Sequence, residues 1–336
     1  MKRLPTFLLV LFMACQPTAT QEAEPEMPAD KRIPVIFDTD ANNELDDQHA
    51  LAYLLFNQDI FNVKAITVNR TNNGGGLDQH MAEAERVMKL CGAFDEIPLL
   101  AGADRNYEEI VGQLGENNFD GKAAVDKIID EARQHSPANP LVLLPVGKLT
   151  TIALATTKAP DILPNLRIVW LGSNYPEPGE YNQVNDTVSM NVLLNQDVDV
   201  EMVTVRYGKP SGTDAVRTTP DFMKEQFAGQ GPLIEPSVEG RHGGRFSHFG
   251  DYSVDLFDHA ELHGDPPSRA LFDMAAVAIV KDPEWAEAKE IPTPILQEGK
   301  WVERPGFSRK MIIWENFDAR AIIDDFVETI RSAQSI

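Results

Sequence analysis

The chain has 336 residues, with 52 acidic side chains against 30 basic ones and a formal net charge of −22. So negative a surface disfavours nucleic-acid polymers, whose affinity comes mainly from neutralised phosphates, and suits neutral small molecules and divalent cations. Of the two cysteines, only Cys91 lies beyond residue 15, which excludes a disulfide framework there.

Lys2 and Arg3 precede a short apolar run, Leu4 to Ala14. A bilayer-spanning helix needs about 20 apolar residues, so this run reads as the apolar part of a signal peptide. It ends Phe12-Met13-Ala14-Cys15, which resembles a bacterial lipobox. Residues 1–14 are therefore expected to be a signal peptide. Cys15 would be the lipid-anchored first residue of an exported, cell-envelope or periplasmic protein; cleavage near Ala14 without lipidation is the simpler alternative. Residues 15–30 are polar, acidic and rich in Pro, too poor in apolar surface to fold, and read as a tether.

From Ile33 onward, short β-rich runs alternate with helical spacing. The runs are 33–37, 63–68, 97–100, 141–146, 167–171 and 200–205; between them lie helical patterns at Leu45–Phe56, Leu77–Leu90, Ala123–Arg133 and Leu149–Thr157. This alternation predicts a single α/β domain over 31–336, Rossmann-like, with a mainly parallel sheet flanked by helices and ligands beyond the carboxyl ends of its strands. Cys91 closes an apolar helical pattern and reads as a small buried hydrophobe. Residues 232–267, rich in Gly, His and aromatics with little periodicity, read as a substrate-side flap.

The sharpest feature is VIFDTDANNELDDQHALAYLLF, residues 35–56. Asp38, Asp40, Asp46 and Asp47 crowd the end of one strand and the first turn of the next helix. A helix N-terminus favours carboxylates, but several held together repel, and a hard divalent cation with oxygen ligands relieves that repulsion. Plain helix capping by Asp46 and Asp47, with Asp38 and Asp40 in solvent, is the bland alternative.

The segment resembles the N-terminal signature of the inosine–uridine nucleoside hydrolase family, and two later segments match in the order that family requires. These are LVLLPVGKLTTIALA (141–155) and LFDMAAVAIVKDP (271–283), so that the resemblance spans roughly residues 33 to 336. It implies calcium-dependent hydrolysis of the bond between base and ribose, with Asp40 as catalytic base. It also implies a Ca2+ shell of Asp40, Asp47, the Val146 carbonyl and Asp273, with Asp38 behind it and Asp46 on the sugar. Ribose contacts are expected from Asn72, Glu180, Asn182, Asn185 and Asn191.

The chain departs from the family pattern in places. Ala41 to Leu45 makes a longer connection than the family's Pro-Gly turn, Lys148 stands where Pro is common, and Ser189 where Glu is expected. Phe272 occupies the position at which many members place a His that protonates the leaving base. His242, His248, His259 and His263 lie just upstream, and His248 is taken as the replacement acid. Phe246, Phe249 and Tyr252 are expected to stack on the base.

Two other readings stay open. A strand ending Asp-Thr-Asp also resembles haloacid dehalogenase-type phosphatases, with Asp38 as nucleophile. A decayed hydrolase that only binds sugar or nucleoside is the non-enzymatic alternative. The sequence leaves preferred base, preferred sugar and homo-oligomer formation undecided.

Overall fold

The computed structural model describes residues 30–333; the signal-peptide and lipid-anchor expectations fall outside them. Six parallel strands form most of one sheet: β1 (Ile33–Thr39), β2 (Phe61–Val68), β3 (Leu99–Ala101), β4 (Leu141–Pro145), β5 (Leu166–Leu171) and β6 (Asp199–Val203). Their spatial order is β3-β2-β1-β4-β5-β6. Lys310–Glu315 continues the sheet parallel to β6, and Glu287–Pro292 closes that edge antiparallel. The single α/β domain with a mainly parallel sheet is thus as the sequence predicts.

Strand β4 is buried along its whole length, as a strand covered by helices on both faces must be. Alternate residues of β1 feed opposite cores: Val35 and Phe37 pack with the helix α1 (Asp46–Phe56), and Ile36 with the layer that includes Lys122–Ala132 and Thr150–Lys158. Cys91 lies buried in the first of these cores, just after helix α2 (Leu77–Leu90). Among the described residues no helix is long and apolar enough to cross a membrane.

β1 sits between β2 and β4, where the chain's strand order reverses. Crossovers leave on opposite sides of the sheet there, opening a crevice at the strands' carboxyl ends. Register fixes what faces it: Asp38 pairs with Pro145, so Asp40 and Val146 emerge side by side.

Of the segment 232–267, expected as a substrate-side flap, a large part is regular structure and His263 is its one residue on the cavity wall described below. The segment holds a two-stranded ribbon, Val238–Glu239 against Arg245–Phe246, and a helix, Phe249–Asp258. That helix buries Phe249, Tyr252, Leu256 and Phe257, which follow i, i+3, i+7, i+8 spacing. Phe249 and Tyr252 are fully buried, and the Tyr252 hydroxyl donates to Glu83 at 2.5 Å. Phe246 packs on Tyr252 with ring centroids 5.3 Å apart. None of the three is free to stack on a base.

Candidate active site

A cavity of about 450 Å³ opens at the carboxyl ends of β1, β4, β5 and β6. Asp40, Asp46, Asp47 and Asp273 lie on its walls, and all four are buried. Asp40 follows β1, Asp46 and Asp47 open α1, and Asp273 is in the first turn of the helix Phe272–Lys281, which packs against α1. Asp46, Asp47 and Asp273 each offer a carboxylate oxygen within 4.8 Å of the others.

Hydrogen bonds from threonine hydroxyls aim two of these carboxylates. The Thr71 hydroxyl donates to Asp40 Oδ2, and Thr39 Oγ1 donates to Asp47 Oδ1 at 2.5 Å. Asp40 Oδ1 is buried with no hydrogen-bond partner. Gly147 makes room for it: a Cβ there would lie 2.8 Å from Asp40 Oδ1. The longer connection from Ala41 to Leu45 is pinned from outside. Asn42 N–H donates to His80 Nδ1 at 3.1 Å, and Asn42 Nδ2 to the Gly74 carbonyl at 2.6 Å.

Burial raises these carboxyls above their ordinary range, and mutual repulsion adds to it. Asp40 is pushed up to about 6 and Asp46 to about 7, while Asp47 and Asp273 are raised well above the usual value. Such a group either keeps protons or gains a cation. The donor set is all oxygen, one buried oxygen is unpartnered, and two helix N-termini adjoin it. These residues fit a hard divalent ion such as calcium.

Asp38 lies behind this wall. It is fully buried, accepts from Thr67 Oγ1 at 2.6 Å and Asn69 Nδ2 at 2.9 Å, and does not line the cavity. Set behind the cavity wall and engaged by Thr67 and Asn69, it is not placed as the nucleophile that a phosphatase of the dehalogenase type would need.

The remaining expected residues divide. Val146, Glu180 and Asn182 line the cavity. Asn182 Nδ2 donates to the Val146 carbonyl at 2.7 Å, and its Oδ1 is buried without a partner. Glu180 caps a short helix, accepting from the backbone N–H groups of Ser173, Asn182 and Gln183 at 2.9, 3.0 and 2.9 Å.

Four residues expected at the site are not on the cavity wall. Asn185 Oδ1 accepts from the Asn72 N–H at 2.8 Å, so these two stitch neighbouring loops together. Asn191 makes a reciprocal pair with the Leu296 backbone, at 2.8 and 3.1 Å, because its helix turns that face toward the edge hairpin. His248 donates from Nδ1 to the Gly231 carbonyl at 3.0 Å at the start of its helix.

The cavity wall also holds Tyr207, Arg269, Arg217 and Asp214, which the sequence reading passed over, together with Phe272 and His263. Tyr207 and Phe272 meet edge to face. Of the four upstream histidines, only His263 lines this cavity; its Nε2 is 3.4 Å from Arg269 Nη1. Tyr207 follows β6, and the rule that ligands bind beyond strand carboxyl ends would have pointed to it.

Comparison with known proteins agrees with this geometry. The chain is 26% identical over 228 residues to an inosine-uridine preferring nucleoside hydrolase of Crithidia fasciculata, covering 61% of this chain and 66% of that protein. It is 31% identical over 122 residues to one of Leishmania major, covering 32% and 38%. Both alignments thus span slightly less than two thirds, or far less, of the relative's length. In fold it resembles a plant nucleoside hydrolase, with a TM-score of 0.69 and 17% identity over 89% of this chain and 99% of that one. A purine-preferring ribonucleoside hydrolase from Gardnerella vaginalis matches with a TM-score of 0.67 and 20% identity, covering 89% and 98%. The sequence profile of the inosine-uridine preferring nucleoside hydrolases matches residues 35–321. The chain belongs to that family.

Proposed function

We propose that this protein hydrolyses the N-glycosidic bond of ribonucleosides, releasing free base and ribose, and that it does so with calcium. The observation that carries this is the set of buried carboxylates Asp40, Asp46, Asp47 and Asp273 around one cavity, with Asp40 Oδ1 unpartnered. Asp40, Asp47, Asp273 and the Val146 carbonyl would hold the ion. A bound calcium supplies positive charge that acidifies water and holds sugar hydroxyls.

The rest of the chemistry belongs to the chain. Asp40, steadied through Oδ2 by Thr71, takes the proton of the attacking water through Oδ1, a task that needs hydrogen-bond reach first of all. Asp46, Glu180 and Asn182 border the sugar position and stabilise charge that develops on the ring as the bond to the base breaks. Tyr207 and Phe272 hold the base by its faces and edges. His263 takes the place of His248 as proton donor to the leaving base, being on the cavity wall.

We also propose export and lipid anchoring at Cys15, supported by Phe12-Met13-Ala14-Cys15 and the polar tether that follows. The hydrolase reading is tested by purifying the protein, removing metal with a chelator and assaying inosine and uridine with and without added Ca2+. Ribose release restored by Ca2+ supports the reading. Activity indifferent to the chelator and to Ca2+ refutes the metal assignment.

A further inference from the structure

A second cluster of ligating side chains stands apart from the carboxylate site. His242, Asp255 and His259 each offer one ligand atom, and these atoms lie within 4.8 Å of one another. Asp255 and His259 are four residues apart at the end of the Phe249–Asp258 helix, so they share a face. His242 comes from the ribbon that precedes this helix, where Gly243 and Gly244 take φ of 91° and 77° and turn the chain back. Side chains without a Cβ allow that turn; an ordinary residue would be strained at either position.

The contacts converge on one carboxylate. His242 Nδ1 is 3.2 Å from Asp255 Oδ2, and His259 Nδ1 is 3.6 Å from Asp255 Oδ1. The two imidazole rings stack with centroids 4.1 Å apart and planes inclined by 26°. Two stacked imidazoles beside one carboxylate bring two nitrogen donors and one oxygen donor together, the ligand types a transition-metal site uses. The side chains are 26%, 20% and 48% exposed, so an ion reaches them from solvent and keeps water in its open positions. A crevice of about 190 Å³ beside His242 and His259 is also lined by Glu44 and Arg269, which form an ion pair and both line the cavity described above.

We infer that His242, Asp255 and His259 form a second metal site, one for a transition-series dication of the zinc class. Imidazole nitrogen suits zinc, nickel or copper, whereas the all-oxygen set at the cavity suits calcium. The two sites therefore sort metals by ligand chemistry. The bound ion ties the ribbon to the helix, on the side of the chain that carries Glu44 and Arg269. This inference does not rest on the hydrolase reading, and either can fail without the other.

The test is a Zn2+ titration of the full chain, stripped of metal and then saturated with Ca2+, followed by calorimetry and by thermal melting. The expected result is one equivalent of Zn2+ bound in the presence of excess Ca2+, with a rise in melting temperature. Both effects should vanish in the His242→Ala/His259→Ala double variant and persist in Asp47→Asn. Because the three side chains are partly exposed, the metal-free double variant should melt with the metal-free parent, and the single variant Asp255→Asn should weaken Zn2+ binding at least tenfold. Absence of Zn2+ binding in the parent overturns the site, and so does binding of equal strength in the double variant. Binding lost in Asp47→Asn but retained in the double variant would place the ion with the cavity carboxylates and overturn it equally.

Discussion

Tyr207 stands at right angles to Phe272, with ring centroids 5.7 Å apart, on the wall of the carboxylate cavity. An edge-to-face aromatic pair offers a leaving base both a face to stack on and an apolar wall. Burial holds the Tyr207 phenol above its ordinary range, so it gives up its proton reluctantly, and the imidazole on the same wall, His263, is the better-matched acid. His263→Ala should lower turnover on inosine by about 100-fold or more, the lower end of what general-acid help is worth, and a nitrophenyl riboside much less, since nitrophenolate departs unprotonated. Phe272→His should raise turnover on inosine. Equal losses on both substrates in His263→Ala would show that this histidine positions the loop and donates no proton.

Calcium binding should be strongly pH-dependent. Of the proposed ligands, Asp40 is raised to about 6 and Asp47 and Asp273 well above the ordinary value, chiefly by burial, and Asp46 beside them to about 7. A carboxyl whose folded value lies above its unfolded one holds its proton longer in the folded chain. The stability it contributes is present below about 4 and is lost as pH rises through 6 and 7. Calcium must displace those protons, so its affinity should climb from pH 5.5 to 8, and the melting temperature gained from Ca2+ should be larger at pH 8. Titration calorimetry at several pH values checks this. An affinity flat across that range would mean that the carboxylates are already ionised without metal.

His49 should make the protein acid-sensitive. Its ring is fully buried, lies among Phe249, Phe257 and Phe326, and is pushed down to about 4 by that burial. As pH falls below about 6.5 the unfolded chain gains a proton there that the folded chain refuses. Stability therefore falls between pH 6.5 and 4 and levels off below 4, with a full loss of about 3 kcal/mol from this group. Urea unfolding of His49→Gln should show a shallower loss between pH 7 and 4.5 than the parent shows. Parallel losses would remove His49 from the account.

Much of this was legible because it is local in sequence. The strands and early helices follow from hydrophobic spacing, and Asp40, Asp46 and Asp47 lie within one strand–loop–helix passage. The asparagines were another matter. Asn185 and Asn191 sit on helices whose rotation decides which neighbours they meet, and that rotation depends on packing distant in sequence. The Phe249–Asp258 helix carried its spacing openly, but the glycines and histidines before it masked the pattern. The edge strand Glu287–Pro292 is mostly exposed, so it shows little alternation to read.

Lys148, in the segment that leads from β4 into the helix Thr150–Lys158, ties down a neighbouring loop. Its ammonium is buried and donates to the carbonyls of Asp104 and Arg105 at 3.2 and 2.8 Å and to Asn106 Oδ1 at 3.0 Å. Lys148→Met would leave three acceptors without this donor and should cost about 3 kcal/mol of stability. With folded protein, calcium content should be unchanged, because Lys148 is not on the cavity wall and its ammonium is engaged by the 104–106 loop. Thermal melting together with metal analysis reads both; lost calcium in a folded variant would mean that Lys148 supports the site directly.

The central claim is that Asp40 activates water against the bond between base and ribose. The most direct measurement quantifies free base and free reducing sugar together from inosine and from uridine, with calcium present and phosphate absent. The parent should release both in equal amounts. Asp40→Asn keeps an oxygen ligand but loses its charge, so at calcium raised enough to saturate the weakened site it should still show a calcium-dependent melting shift yet lose turnover by about 100- to 10,000-fold. Full turnover in a folded Asp40→Asn, or base released only when phosphate is supplied, would contradict it.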